Sequence, residues 1–282
     1  MKIIALNTLA FILLILYCHQ LSAQRGSGID ISYNQTAEGI LIRADNTEPV
    51  PYSFKFDFDL TNLKVSTEEK KNFLVPARSE KFKITLLKRI DSTKGYNFKY
   101  EFEAQIGKTI WTKPDLDFIY ELPYAPGGKF KVGQGYNGVF SHQGESALDF
   151  DMRIGTKVYA ARGGIVAEVI EENRRHCPRP HCADFNNRII IYHEDGTMAF
   201  YSHLKFGGAE VEKGDEVKQG DFIGYSGETG FCRGPHLHFE VRIPQWDKLN
   251  PIKLETLFNV VGSKKPVLLE EGKVYNKPET SM

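Results

Sequence analysis

Hydrophobic and polar residues alternate along several short runs between residues 29 and 106. In the clearest run, residues 52–60, every second side chain is hydrophobic: Phe54, Phe56, Phe58 and Leu60. Residues 82–86 and 98–106 repeat the alternation, and Gly, Pro, Asn and Asp cluster between the runs. A period of two places the hydrophobic side chains on one face of a β-strand. The pattern therefore predicts half-buried strands that form an immunoglobulin-like β-sandwich.

The second half of the chain is also rich in short β-type runs. Residues 157–160, 164–170, 188–192 and 198–201 are hydrophobic segments bounded by Gly, Asn or Asp. No long stretch with a helical period interrupts them. Turn-forming residues concentrate at residues 122–128, which predicts a junction between the two halves. We therefore predict an all-β chain.

The first 23 residues differ from the rest of the chain. Lys2 precedes an apolar run that extends to Tyr17, and small residues precede Gln24. This arrangement is typical of a secretory signal peptide. The run is shorter than the ~20 residues that span a bilayer, so we expect an exported protein, periplasmic or secreted, without a transmembrane segment. Lipidation of Cys18 is an alternative, but the bulky Tyr17 before it argues against a lipoprotein.

These features predict four segments: a signal peptide (1–23), a β-sandwich domain (24–120), a second β domain (121–262) and a peripheral C-terminal extension (263–282). The chain has 282 residues, of which 41% are hydrophobic, and its 36 basic residues balance 36 acidic ones. This composition argues against disorder and against a nucleic-acid-binding protein. Residues 24–141 contain no His and no Cys, so we expect the sandwich to position or bind rather than to catalyse.

All seven histidines after residue 23 lie between His142 and His238. His236 and His238 stand two residues apart in a β-type run and therefore share one face. Upstream, His142 is followed by Asp149 and Asp151. Two imidazoles and a carboxylate suit Zn²⁺, and three protein ligands leave a fourth position for water, as a catalytic zinc site needs. Alternation places both aspartates on the same face, so the residue pattern leaves both as candidates.

Three segments together resemble the signature of the lysostaphin-type, or LytM-like, zinc metalloendopeptidases, which cut peptidoglycan peptides. They are His142 to Asp149, the Tyr-Ser-His-Leu run at residues 201–204, and residues 226–241 with their Gly-Pro-His-Leu-His core. Residues 155–166 and 214–224 also resemble connecting strands of that family. The likeness covers roughly residues 122–251 and does not include the predicted sandwich. The resemblance implies a mostly antiparallel β-sheet metallopeptidase domain.

The resemblance also implies the roles of individual residues. The implied zinc ligands are His142, Asp149 and His238, and the implied catalytic histidines that do not bind zinc are His203 and His236. Six residues separate His142 from Asp149, whereas the family's usual first motif has three. A branch with this longer loop carries its aspartate in a run like residues 147–150, which favours Asp149.

The implied function is that of an exported zinc metalloendopeptidase that hydrolyses cross-link or stem-peptide bonds of peptidoglycan with zinc-activated water. A catalytically silent relative that binds wall or regulates a hydrolase is the alternative, disfavoured because every expected ligand and catalytic histidine has a candidate. A carrier module of the lipoyl type would explain the turns at residues 214–223, but no carrier lysine stands at a hairpin tip. The bond cut, the oligomeric state and the division of roles between His203 and His236 stay open.

Three cysteines remain after the predicted signal peptide: Cys177, Cys182 and Cys232. Export permits disulfides. Residues 176–182 have metal-ligand residue types, but we favour a small loop closed by a disulfide over a second metal site. The pairing is open, and a bond from Cys232 to either partner would fix a loop beside the active site.

Overall fold

The computed structural model describes four ranges of the chain: residues 28–66, 71–110, 112–246 and 252–279. Within these ranges the protein consists almost entirely of β-strands, with one short 3-10 helix at Pro180–Phe185. The predicted all-β class is therefore confirmed. The predicted signal peptide, with Cys18, lies outside the described residues. No helix in the described ranges is long and apolar enough to cross a membrane.

Seven strands form the N-terminal part: β1 (Ile29–Thr36), β2 (Gly39–Asn46), β3 (Tyr52–Thr61), β4 (Leu63–Val65), β5 (Asn72–Val75), β6 (Ser79–Arg89) and β7 (Asn97–Ile106). They form two sheets, ordered β1-β2-β6-β4 and β5-β3-β7. Both sheets contribute to one buried hydrophobic cluster, which includes Ile42, Phe54, Phe56 and Leu87. The alternation within each strand turns its hydrophobic side chains toward the opposite sheet, which gives a two-layer sandwich.

The order of the strands departs from the expected immunoglobulin arrangement. In that fold the first, second, fifth and fourth strands form one sheet, and the third, sixth and seventh form the other. Here β6 lies between β2 and β4, whereas β5 pairs with β3. Compared with the immunoglobulin arrangement, β5 and β6 thus each lie in the other sheet. The hydrophobic period tells which face a strand buries but not which strand lies beside it, so the pattern did not reveal this order.

A β-bulge in β6 also alters the predicted core. The pairing of β6 with β2 skips one residue, Ile84. After the bulge the alternation changes face, so Leu87 rather than Leu86 joins the core of the sandwich. The simple alternation predicted for residues 82–86 is therefore wrong beyond Ile84.

Sixteen strands follow: β8 (Ile119–Tyr120), β9 (Lys129–Gln134), β10 (Ala147–Phe150), β11 (Lys157–Tyr159), β12 (Gly164–Ile170), β13 (His176–Cys177), β14 (Arg188–Tyr192), β15 (Met198–Ser202), β16 (Leu204–Ala209), β17 (Glu216–Val217), β18 (Phe222–Ser226), β19 (Gly230–Phe231), β20 (Leu237–Ile243), β21 (Ile252–Leu254), β22 (Leu257–Phe258) and β23 (Val274–Asn276). The largest sheet runs β17-β12-β14-β15-β20-β10-β9-β23, with β21 paired to β20. Its strand pairs are antiparallel. The large sheet has its own hydrophobic core, separate from that of the sandwich. A three-stranded sheet, β11-β18-β16, contributes Val158 and Ile223 to this second core.

The segment after Gly262 belongs to this second core. β23 pairs with β9 at the edge of the large sheet, and the Leu269 side chain lies in the hydrophobic core. The hydroxyl of Tyr124 donates to the carbonyl oxygen of Tyr275 (2.8 Å). The prediction of a peripheral C-terminal extension is therefore wrong for the described residues. The segment is polar and has few hydrophobic residues, so its hydrophobic pattern did not predict a strand.

An apolar contact joins the sandwich to the outer face of the large sheet. Val50 of the sandwich is buried against Ile190 and Met198, and Tyr52 packs beside them. An ion pair between Lys213 and Glu48 lies in the same junction. The sandwich thus packs through side chains of β14 and β15 on the same face of the large sheet that carries His238. The pairs Met198–Arg242 and Ser202–His238 place the sandwich contact and the histidine toward opposite ends of that face.

One buried histidine lies away from those residues. His193 is fully buried, and its Nδ1 lies 2.8 Å from the carbonyl oxygen of Gly163. Burial lowers the pKa of His193 to about 4, so the folded protein holds this imidazole neutral. The position therefore serves packing.

We expect Leu269→Ala to lower the free energy of unfolding by roughly 2–4 kcal/mol, because it leaves a cavity in the core of the large sheet. Leu268→Ala is the matched control. Its side chain is 42% exposed, so we expect a change of about 0.5 kcal/mol or less. Urea unfolding of both variants measures this, and equal effects would show that the C-terminal segment does not pack as described.

We expect His193→Gln to reduce the acid sensitivity of folding. The unfolded chain takes up a proton on His193 below its ordinary pKa of about 6.5, whereas the folded chain does so only below about 4. The histidine therefore lowers stability as pH falls from 6.5 to 4, by roughly 2–3 kcal/mol in total. Unfolding free energies of both proteins between pH 7 and pH 4 check this. Parallel pH curves would contradict a neutral buried imidazole.

Candidate functional site

Strands β10 and β20 are neighbours in the large sheet, and they place two polar side chains side by side. Asp149 of β10 pairs directly with His238 of β20, so both side chains lie on one face. His236 stands two residues earlier on the same face and forms an isolated bridge with Gly227. The intervening Leu237 is fully buried. The β spacing predicted from the sequence therefore brings both imidazoles to one surface.

His142 reaches this face from the loop between β9 and β10. Its backbone N–H donates to the carbonyl oxygen of Gly138 (3.1 Å), and its ring Nδ1 lies 3.0 Å from the carbonyl oxygen of Gly135. A carbonyl only accepts hydrogen bonds, so Nδ1 carries the hydrogen and Nε2 keeps a free lone pair. That Nε2 lies 3.3 Å from Asp149 Oδ1. The longer loop after His142 thus still brings the imidazole to the aspartate.

Three donor atoms meet at this point. His238 Nδ1 lies 2.9 Å from Asp149 Oδ1, and His142 Nε2 lies 3.3 Å from both Asp149 Oδ1 and His238 Nδ1. A tetrahedral zinc ion with bonds of about 2.0–2.2 Å has ligand atoms roughly 3.3–3.5 Å apart. Two imidazole nitrogens and one carboxylate oxygen are also a donor set that zinc accepts. The residues present therefore fit a zinc ion with one open coordination position.

The surroundings of Asp149 keep it ionised. Burial alone would raise the pKa of this carboxyl, but the neighbouring imidazoles, chiefly those of His142 and His238, hold it well below its usual range. The second carboxylate oxygen, Oδ2, accepts a hydrogen bond from Gln134 Nε2 (3.0 Å). Asp151, the other candidate from the sequence, lies beyond the end of β10 and its exposed carboxylate is 3.9 Å from Lys131 Nζ. Of these two aspartates, the structure brings Asp149 to His142 and His238.

His203 follows β15 directly and lies in the left-handed region of backbone conformation, with φ of 62°. This conformation is uncommon for residues other than glycine and recurs at functional sites. Two contacts hold it: the His203 N–H donates to Asn186 Oδ1 (2.8 Å), and ring Nδ1 lies 2.7 Å from the carbonyl oxygen of Thr229. Gly230, which follows Thr229, lets Asn186 pack closely because it has no side chain. A Cβ added at Gly230 would lie only 2.9 Å from the Asn186 Cα.

His203 and His236 present similar ring nitrogens to the site. Their ring centroids are 4.6 Å apart. His236 Nδ1 lies 2.8 Å from the carbonyl oxygen of Gly234, so Nε2 is the free nitrogen, as it is in His203. Burial lowers the pKa of His203 to about 3, and the neighbouring imidazoles act in the same direction. His203 is therefore neutral at pH 7 and can accept a hydrogen bond through Nε2.

Sequence reasoning missed Glu240, which lies behind His238. Glu240 is 2% exposed, and its Oε2 lies 3.5 Å from His238 Nε2 and 2.7 Å from Lys253 Nζ. Burial would raise the pKa of Glu240, but His238, Arg242 and Lys253 hold it well below its usual value. The signal was present in the sequence, since Glu240 stands two residues after His238 in a strand and so shares its face.

Glu240 also affects how His238 can bind a metal ion. Burial opposes a charge on His238, yet hydrogen bonds to Asp149 and Glu240 raise its pKa to about 9. Without a metal this imidazole is therefore protonated at neutral pH, and metal binding displaces a proton. With Nε2–H directed at Glu240, His238 offers Nδ1 to a metal, the arrangement in which a carboxylate orients a ligating histidine.

The structure resolves the cysteine pairing that the sequence left open. Cys177 and Cys182 form a disulfide, which confirms the predicted small loop. Cys232 is a free, buried thiol, so the hypothesised disulfide from Cys232 is wrong. The loop is fixed beside the site by backbone pairing instead: β13 and β19 are parallel neighbours, and Cys232 N–H donates to the carbonyl oxygen of Cys177 (3.3 Å).

Comparison with known proteins gives a result consistent with the family resemblance seen in the sequence. Residues 143–251 match the model of Peptidase family M23. Similar proteins include peptidoglycan DD-endopeptidase ShyA of Vibrio cholerae, 39% identical over 96 residues, and lysostaphin of Staphylococcus simulans, 38% identical over 95 residues. These alignments cover 34% and 33% of this chain and 20% and 17% of the relatives. The chain therefore spans less than a third of the length of these relatives.

The solved catalytic domain of lysostaphin from Staphylococcus simulans is also similar. It is 29% identical in sequence, and the alignment covers 45% of this chain and 87% of that domain with a TM-score of 0.33.

We expect Glu240→Gln to weaken zinc binding roughly 10- to 100-fold, because the ligating imidazole of His238 loses its orienting carboxylate. Competition with a chromogenic chelator measures the dissociation constant. Glu145→Gln is the matched control, since Glu145 carries the other carboxylate on Lys253 (2.7 Å), whereas its contact with His142 is made by its backbone N–H. Equal zinc affinity of the Glu240 variant and the unmodified protein would remove Glu240 from the site.

Proposed function

We propose that the chain, whose residues 143–251 match the model of Peptidase family M23, is an exported zinc endopeptidase that hydrolyses peptide bonds of bacterial peptidoglycan, in a cross-link or a stem peptide. One observation carries the proposal: three donor atoms within 3.3 Å of one another stand beside two imidazoles whose Nε2 atoms are free. Relatives named for peptidoglycan and glycyl-glycine bonds support the substrate class. The apolar run before Tyr17 supports export.

The zinc ligands in this proposal are His142 through Nε2, Asp149 through Oδ1 and His238 through Nδ1. Zinc bound by these three residues would supply a water made more acidic, with a pKa toward about 7, and would polarise the carbonyl of the scissile bond. Gln134 and Glu240 hold Asp149 and His238 in place from behind. The ligands are therefore oriented before substrate arrives, which reduces the reorganisation needed during the reaction.

His203 and His236 handle the protons. Both offer a free Nε2, so either can accept a proton from the attacking water. Burial disfavours a positive charge on His203, whose pKa is about 3, whereas the His236 side chain is 15% exposed and its Nε2 lies 3.6 Å from Asp149 Oδ1. We therefore assign the transfer of a proton to the leaving amine to His236. His203 accepts a hydrogen bond from the attacking water and orients it.

The proposal is tested by measuring zinc content together with the release of new amines from purified peptidoglycan. We expect about one zinc per chain and zinc-dependent release in the unmodified protein. His238→Ala should lose both, because it removes a ligand. His203→Ala should keep zinc and lower hydrolysis by roughly 10²–10⁴-fold, because it removes only a proton-handling group.

His181→Ala serves as the control variant, since His181 is exposed in the disulfide loop and should change neither zinc content nor hydrolysis. Normal turnover in His203→Ala would remove that residue from the mechanism. A chain that binds no zinc, or binds zinc and releases no amines from any wall preparation, would favour the silent wall-binding relative instead.

A further inference from the structure

Three arginines near the candidate site each stack on an aromatic ring. The guanidinium carbon of Arg174 lies 3.4 Å from the ring centroid of Phe206, that of Arg175 lies 4.7 Å from Phe185, and that of Arg233 lies 3.5 Å from Phe140. All three arginines are exposed. Stacking leaves the N–H groups at the edge of a guanidinium free to bind a planar anion such as a carboxylate.

The stack of Arg233 on Phe140 joins two segments of the site. Arg233 stands three residues before His236, and Phe140 stands two residues before His142. The Phe140 N–H donates to Gln134 Oε1 (2.9 Å), and the same Gln134 side chain holds Asp149. The arginine is therefore anchored to the loop that carries a proposed zinc ligand.

The other two stacks adjoin His203. Phe206 follows His203 by three residues, and Phe185 directly precedes Asn186, whose Oδ1 accepts the His203 N–H. The carbonyl oxygen of Arg175 accepts the N–H of Gly230, which follows the Thr229 carbonyl that holds the His203 ring. The three arginines thus border the proposed catalytic histidines from two loops, one with Arg174 and Arg175 and the other with Arg233.

None of these three guanidinium groups has a carboxylate within 4.0 Å in the part of the chain that the structure describes. Other arginines of the same domain do: Arg162 pairs with Asp195 at 2.8 Å and Arg188 with Glu168 at 2.6 Å. The acidic residues of the neighbouring loops contact other groups. Glu171 Oε2 accepts the Ala209 N–H (3.0 Å), and Glu228 Oε1 lies 3.5 Å from His176 Nδ1. These carboxylates therefore leave the three guanidinium groups without a direct ion pair among the described residues.

We propose that Arg174, Arg175 and Arg233 form a carboxylate-binding rim, so that the substrate is a peptide with free carboxylates beside the scissile bond rather than a neutral glycine bridge. This inference rests on the proposed function, and it names the substrate class. Peptide stems cross-linked directly through a diamino diacid carry such carboxylates, whereas an oligoglycine bridge has none. Arginine binds a carboxylate through two parallel N–H···O bonds, so the rim would also orient the substrate.

The experiment compares three soluble substrates: a cross-linked stem-peptide dimer with free diaminopimelate carboxylates, the same dimer with those carboxylates amidated, and a pentaglycine-bridged dimer. Binding is measured by calorimetry in the His203→Ala background, and hydrolysis is measured with the unmodified active-site residues. We expect the free dimer to bind at least roughly tenfold more tightly than the amidated one. Raising the salt concentration should reduce this preference.

Arg233→Gln should remove most of the preference, and the double variant Arg174→Gln/Arg175→Gln should reduce it. Arg89→Gln is the matched control, because Arg89 also stacks on an aromatic ring (Tyr96, 4.6 Å) but lies in the sandwich, and it should keep the preference.

Equal binding of the free and amidated dimers, tighter binding of the glycine bridge, or an unchanged preference in Arg233→Gln would each overturn the rim. The two proposals fail separately. Hydrolysis without discrimination between the dimers would sustain the endopeptidase and reject the rim. Arginine-dependent binding of the free dimer without any hydrolysis would sustain the rim and reject the endopeptidase.

Discussion

A carboxylate buried among three imidazoles is the constraint on which the candidate site depends. Asp149 Oδ1 lies within 3.6 Å of a ring nitrogen of His142, His236 and His238. A buried anion is strongly unfavourable unless charged or hydrogen-bonding groups compensate it. Asp149 accepts a hydrogen bond from His238 Nδ1 on one oxygen and from Gln134 Nε2 on the other. A proton on His238, or a metal ion in its place, completes the balance.

The elements around Asp149 fix each imidazole through the nitrogen that faces away from it. Backbone carbonyl oxygens of Gly135, Thr229 and Gly234 hold the Nδ1 atoms of His142, His203 and His236. His238 is reversed: its Nδ1 faces Asp149 and its Nε2 faces Glu240. A histidine binds a metal or accepts a proton only through an unprotonated nitrogen, so these partners decide which atom each ring can use.

Hydrophobic periodicity predicted well which face of a strand is buried. It predicted poorly the features that depend on which strands are neighbours. The run at residues 52–60 has the predicted core side chains Phe54 and Phe56. The exchange of β5 and β6 between sheets, the bulge at Ile84 and the docking of β23 depend on pairing with distant strands. Local composition carries little information about such pairing, because the same alternation fits any neighbour with a complementary face.

The sequence by itself determined the class of structure and the chemistry available. Its alternation required strands, the two-residue spacing of His236 and His238 required a shared face, and the family-like motifs pointed to His142, Asp149 and His203. Only the tertiary structure decided between Asp149 and Asp151, chose the nitrogen that each imidazole offers, brought in Glu240 and paired Cys177 with Cys182. The physical reason is distance along the chain: Asp149 and His238 are separated by 89 residues, and only the register of β10 against β20 makes them neighbours.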